Sequence, residues 1–192
     1  MQLKRFFTTA HVKNSYKYLD TQKKYELLRT ALYFGISIAL LIAGYAATKS
    51  KTNLLTVVAV LGCLPASKSL VSCVMFFKHH STGEAVYNAV SKWDEAVCGL
   101  YDLVFTSEKR TFTAFHGGYH SKCLVLLAGT HTKPQELENH MNEYLHKAGL
   151  SNVNVKAYTD LDKYAERLAQ MVSLEPDRLS GDVIQLLKEI TL

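Results

Sequence analysis

KTNLLTVVAVLGCLPASKSLVSCVMFFKHH, residues 51–80, decides how the chain folds, because it is apolar enough for a lipid bilayer yet carries Pro65 and Lys68 near its middle. Counted as one helix from Leu54 to Phe77 it is 24 residues long, which spans a hydrocarbon core of about 30 Å with room for tilt. Pro65 removes one backbone donor and is expected to kink the helix. A Ser hydroxyl, from Ser67 or Ser69, or a neighbouring helix can satisfy the freed carbonyl. Lys68 sits ten residues before Lys78, roughly 15 Å along an ideal helix. That puts it in the inner half of the membrane, where a charge reads as a functional site with a lipid headgroup or a partner's carboxylate as counter-ion. The alternative is a snorkelling lysine that marks where the helix leaves the oil.

TALYFGISIALLIAGYAAT, Thr30 to Thr48, supplies a second run of 19 residues without a charge. Tyr33 and Tyr45 lie near its ends, where amphipathic rings prefer the interface. Only Lys49 to Asn53 joins the two runs, so a transmembrane hairpin is expected over residues 30–77, with spans 30–48 and 54–77 and both termini on one side. Seven Lys/Arg precede the first run and two lie in the connection. The excess of positive charge places both termini in the cytoplasm and the KSKTN tip outside. Gly35, Ala43, Gly44, Ala46, Ala47, Ala59 and Gly62 let the two backbones approach closely, and contacts between copies through the spans would make a homo-oligomer.

Charge divides the chain in the same way. Residues 1–80 hold eleven Lys/Arg against Asp20 and Glu26, net +9, whereas residues 81–192 hold eleven Lys/Arg against fifteen Asp/Glu, net −4. The basic balance therefore belongs to the membrane-proximal half, and its expected partner is a bilayer with an anionic inner leaflet rather than nucleic acid. Residues 1–29 read as a basic juxtamembrane segment, with Tyr16, Leu19, Tyr25 and Leu28 at roughly helical spacing among lysines. Cys63, Cys73, Cys98 and Cys123 form no CxxC pair, which argues against a disulfide framework or a zinc knuckle and for buried thiols in a reducing compartment.

Residues 82–192 read as a small mixed α/β cytosolic domain, which makes the fold class α+β. Ala85, Val86, Ala89, Val90, Trp93, Val97 and Leu100 have helical spacing, with Ser81 or Thr82 as N-cap. YDLVFTSEKRTFTAFHGGY then reads as two strands about a SEKR turn, and KCLVLLAG as a central strand covered on both faces. Pro134 opens a helix that Gly149 closes, NVNVKAY is a strand, Asp160 caps a further helix, and Ser180 or Asp182 caps the last. The order is αβββαβαα, with three antiparallel strands and a fourth brought alongside by a helical crossover.

Over roughly residues 84–172 that order resembles the core of restriction-endonuclease-like nucleases of the PD-(D/E)XK type. In that family an acid on the second strand and an acid-x-lysine on the third bind a divalent metal. Here the third strand reads SKCLVLLAG without a carboxylate, so the resemblance is one of topology and carries over no catalytic residue.

The candidate binding residues are His116, Tyr119, His120 and Lys122 in FHGGYHSKC. Gly117-Gly118 reads as a tight reversal that would bring His116 and His120 together, beside Cys123, as a metal pair or a Cys-His arrangement for acyl transfer. It lacks a third ligand or an orienting acid, and no phosphate loop, GxSxG or HExxH occurs. No catalytic residue, resident metal or cofactor is therefore assigned. The function expected is a membrane-anchored protein whose cytosolic domain binds a partner macromolecule or a small ligand. The alternatives are a ligand-gated effector or pore former using Lys68, and a membrane-tethered enzyme using the turn from His116 to Cys123.

Overall fold

The computed structural model describes residues 13–49, 54–107, 110–177 and 179–192. Residues 50–53 of the expected tip, Glu108 and Lys109 of the expected turn, and Lys4 and Arg5 of the basic flank lie outside them. The chain divides into two compact units: Leu19–His80, and Ser81–Leu192 together with the segment that ends at Tyr18.

The first unit is built from two helices, α1 (Tyr18–Thr48) and α2 (Leu54–Phe77). Both are long and apolar enough to cross a membrane, and only 17% of the most apolar window of each is buried. A core helix would hide that surface, whereas here Ile36, Ile42, Val60, Leu61 and Leu64 are exposed. Of the basic segment, Tyr18 to Arg29 continue without a break into the apolar run. On α2 the buried residues Ala59, Ala66, Ser69, Cys73 and Phe76 recur at intervals of seven, three and four, the 3.5-residue period of a coiled-coil seam. On α1 the buried Thr30, Ser37 and Gly44 recur at seven. Thr30 Oγ1 lies 2.9 Å from Ser69 Oγ, and a Cβ on Gly62 would stand 2.9 Å from Ser37 Oγ. These two contacts share one antiparallel register, and the small residues permit it.

Pro65 lies inside α2 without ending it. The expected rescue of its orphaned carbonyl by a serine is not what the hydroxyls do. Ser67 Oγ donates to the Cys63 carbonyl at 2.8 Å, and Ser69 is engaged across the helix pair.

The second unit is a four-stranded sheet of order β1 (Leu100–Thr106), β2 (Thr111–His120), β3 (Cys123–Ala128), β4 (Asn154–Tyr158). The first two pairings are antiparallel, and β3 and β4 are parallel, joined through α4 (Pro134–Lys147). Leu137, Met141 and Leu145 of α4, with Val183 and Leu187 of α6 (Ser180–Ile190), cover one face. Val90 of α3 (Glu84–Val90) and Tyr164, Leu168 and Met171 of α5 (Leu161–Val172) cover the other. Each face buries apolar area at roughly 25 cal/mol per Å². Both sheet edges are occupied. The Tyr101 N–H donates to the Asn14 carbonyl and the Leu192 N–H to the Val104 carbonyl on β1, while the Ala157 N–H of β4 donates to Glu138 Oε1 at 2.8 Å. Asn14 therefore belongs to this unit, which begins before the hairpin as well as after it.

Two local expectations fail for identifiable reasons. The helix expected through Leu100 stops at Val90, passes through a 3₁₀ turn at Ser91–Trp93, and leaves Leu100 to open β1. Ser81 and Thr82 do not cap it, because both hydroxyls and the Thr82 N–H donate to the Asp102 carboxylate at 2.5 to 2.7 Å, and Gly83 takes the N-cap position. Gly117 and Gly118 are not a reversal but lie within β2, paired to Leu126 and Val125. They are needed for packing, since a Cβ on Gly117 would sit 2.7 Å from Leu103 Cδ1 and one on Gly118 2.9 Å from Leu168 Cδ2. The reversal is at Ser121-Lys122, both at positive φ of 49° and 60°, which suits a two-residue primed turn.

Candidate functional site

With the turn displaced, the four expected binding residues do not line one cavity. His116 is fully buried under α5. Tyr119 points to the opposite face and donates to Asp177 Oδ2 at 2.6 Å, an oxygen that also accepts the Lys122 N–H at 3.1 Å. Burial, then the Asp177 hydrogen bond, pushes the Tyr119 phenol well above its ordinary range. His120 lies at the end of the sheet, with its two ring nitrogens 3.0 Å from the Ala96 carbonyl and 2.9 Å from the Leu174 carbonyl. The Lys122 side chain is exposed. His116 and His120 stay on one strand, four residues apart, and do not meet.

His116 instead joins a closed chain of polar groups. Its Nε2 is 3.0 Å from Asp94 Oδ1, its Nδ1 is 2.6 Å from the Tyr164 hydroxyl, and Tyr101 donates to Asp94 Oδ2 at 2.6 Å. Burial first raises both the Tyr101 and the Tyr164 phenols, so each holds its proton and donates. Asp94 accepts from Tyr101 and, with the His116 proton on Nε2, from that nitrogen too, which leaves Nδ1 to accept from Tyr164. Every group in the chain is satisfied, so its evident role is to fix α5 and the 91–99 segment to the sheet. Gly99 makes room for it, since a Cβ there would stand 2.5 Å from Asp94 Oδ1.

The concavity with chemical potential lies beside this chain, where β4 extends past the cover of α5. It measures ≈ 330 Å³ and is lined by Cys123 and Val125 of β3, Asn154, Lys156 and Tyr158 of β4, and Arg167 and Gln170 of α5. The alternation of β4 creates it. Val155 and Ala157 turn to the α4 face, leaving Asn154, Lys156 and Tyr158 on the side that α5 covers incompletely. Arg167 is among the lining residues, its Nη1 3.2 Å from Gln170 Oε1 and its Nη2 4.0 Å from Cys123 Sγ. It has no carboxylate partner among the described residues. Among the described residues Lys156 pairs only with Glu138, at 3.9 Å. Two cations, two amides, a phenol ring and a thiol thus converge within residues 81–192, a stretch whose net charge is −4. Such a set can hold a small anion that carries a planar portion.

Sequence reasoning missed this groove because its members come from three elements, and β3 meets β4 and α5 only across the intervening residues 129–153. The one available signal was the two cations, Lys156 and Arg167, at strand and helix positions beside apolar neighbours. Among the described residues no three His, Cys, Asp or Glu side chains gather as a metal site. Comparison with protein-family models, with curated sequences and with solved structures finds no match to the chain.

Proposed function

We propose that this is an integral membrane protein, both termini cytoplasmic, whose α+β domain binds a small anionic ligand in the groove between β4 and α5. The observation that carries the ligand reading is Arg167. A guanidinium lining a concavity of ≈ 330 Å³ with no carboxylate partner among the described residues is an unanswered charge. The volume falls at the small end of the about 300 to 1,000 Å³ typical of ligand sites. The anchor reading is supported by two exposed apolar helices and by the lysine-rich N-terminal flank.

The test uses the full chain in lipid nanodiscs, titrated calorimetrically with inorganic phosphate, nucleoside 5′-monophosphates and small dicarboxylates. Saturable binding of one class, lost in Arg167→Gln and weakened in Lys156→Gln, supports the reading. Absence of binding at millimolar concentration across the panel, or equal binding by Arg167→Gln, sinks it.

A further inference from the structure

We propose that Arg29 and Lys68 together form a site for the phosphate of an anionic phospholipid on one face of the helical hairpin. The proposal rests on the hairpin crossing a bilayer and is independent of the groove.

Register brings the two cations to one level. Thr30 Oγ1 and Ser69 Oγ are 2.9 Å apart, and Arg29 and Lys68 are the residues immediately before them. Each is therefore rotated by about 100° from its contact residue. Because the helices run antiparallel, these two rotations turn to the same side of the pair. Arg29 and Lys68 thus flank one notch rather than opposite faces.

Depth follows from α1. Its uncharged run begins at Thr30 and ends at Thr48, about 28 Å of helix and close to the thickness of a hydrocarbon core. Arg29 stands at the edge of that layer. The register sets Lys68 level with Arg29, so the span expected at 54–77 runs past that edge, with Leu70, Val71, Val74 and Phe77 exposed beyond it. Headgroup phosphates lie at this level, and both side chains are long enough to adjust to it.

Charge selects the occupant. Arg29 Nη1 lies 3.5 Å from Glu26 Oε1, and the guanidinium lies over the Tyr33 ring at 5.6 Å. Lys68 is exposed and makes no ion pair among the described residues. Two cations against one carboxylate leave a net positive notch, and a phosphodiester offers acceptors to guanidinium and ammonium alike. Ile36, one turn pair further along α1, and Leu64, one turn before Lys68, are exposed below it and supply an apolar wall for acyl chains. That wall points to a lipid phosphate rather than a free one.

The test is native mass spectrometry of the full chain released from nanodiscs containing phosphatidylglycerol and phosphatidylcholine in equal amounts. The wild type is expected to retain phosphatidylglycerol over phosphatidylcholine by about tenfold or more. Arg29→Gln/Lys68→Gln should lose that preference, and Lys23→Gln/Lys24→Gln should keep it. An equal loss in both double variants means diffuse attraction and overturns the site, as does displacement of the lipid by millimolar inorganic phosphate. Carbonate extraction of each variant is run alongside. A chain that leaves the membrane pellet defeats the spanning hairpin itself, whereas a chain that stays but shows no lipid preference defeats only the phosphate site.

Discussion

Nδ1 of His116 lies 2.6 Å from the hydroxyl of Tyr164, in a core where the imidazole has no exposed surface. The contact joins β2 to α5, and through Asp94 it extends to Tyr101 on β1. The Tyr164→Phe variant leaves Nδ1 buried without a donor and should cost about 1–3 kcal/mol. Asp94→Asn places an amide opposite two donors and should cost more than Tyr164→Phe. Thermal unfolding of the detergent-solubilised chain ranks the two. Equal melting temperatures in both variants and the wild type would show that the chain of bonds contributes nothing.

The same burial makes the domain sensitive to alkali. Tyr101, Tyr119 and Tyr164 are all raised, chiefly by desolvation. A raised native value means that the contribution is complete below the unfolded tyrosine range, near pH 10, and is lost as pH rises above it. These three phenols should therefore ionise only on unfolding. In a titration of phenolate absorbance, Phe substitution at Tyr119 is expected to reduce the final, unfolding-linked step and leave the earlier reversible part unchanged. A reduced early part would place Tyr119 among the accessible phenols.

Much of the architecture was legible in the residues, and the errors share a cause. Pro134, Gly149 and Asp160 mark helix ends through local chemistry, and β3 announces itself as CLVLLA, so the order of elements followed. The errors arose where a distant partner overrode a local preference. Ser81 and Thr82 are good caps, yet Asp102, twenty residues on, takes their hydrogen bonds. Gly117-Gly118 is a good turn, yet Leu103 and Leu168 need the space its missing Cβ atoms leave. The groove was illegible for the same reason, since Cys123, Lys156 and Arg167 meet only after β4 has crossed to lie parallel to β3.

Gly118→Ala tests that packing argument directly. The new methyl would stand 2.9 Å from Leu168 Cδ2 and 3.0 Å from Val97 Cγ2, and α5 is pinned by Tyr164 and cannot simply move away. The expected loss is about 1–3 kcal/mol, read by urea unfolding. Gly181→Ala, where no atom lies within 4 Å of the added carbon, is the matched control and should be near neutral.

Ligand occupancy of the groove can be followed at Cys123, which lines it, against Cys98, which is exposed elsewhere. Under the proposed reading an anion on Arg167 would lie near the Cys123 sulfur, which is 4.0 Å from Nη2. Maleimide labelling quantified by peptide mass spectrometry should slow at Cys123 when ligand is added and hold its rate at Cys98. Parallel slowing at both sites would indicate a global effect on the chain.

The register of the hairpin is open to a covalent test. A Cβ built on Gly62 lies 3.9 Å from the Cβ of Ser37, inside the range of about 3.5 to 4.5 Å that a disulfide spans. Ser37→Cys/Gly62→Cys, in a chain whose native cysteines are replaced by serine, should therefore close an intramolecular bond under mild oxidation in membranes. Ser37→Cys/Leu64→Cys should not, because two residues along α2 carry the side chain to the other side of the helix. The bond would be detected as a single cross-linked peptide by mass spectrometry, independent of protein dilution. Closure of the 37/64 pair in preference to 37/62 would shift α2 against α1, and Lys68 would then no longer stand level with Arg29.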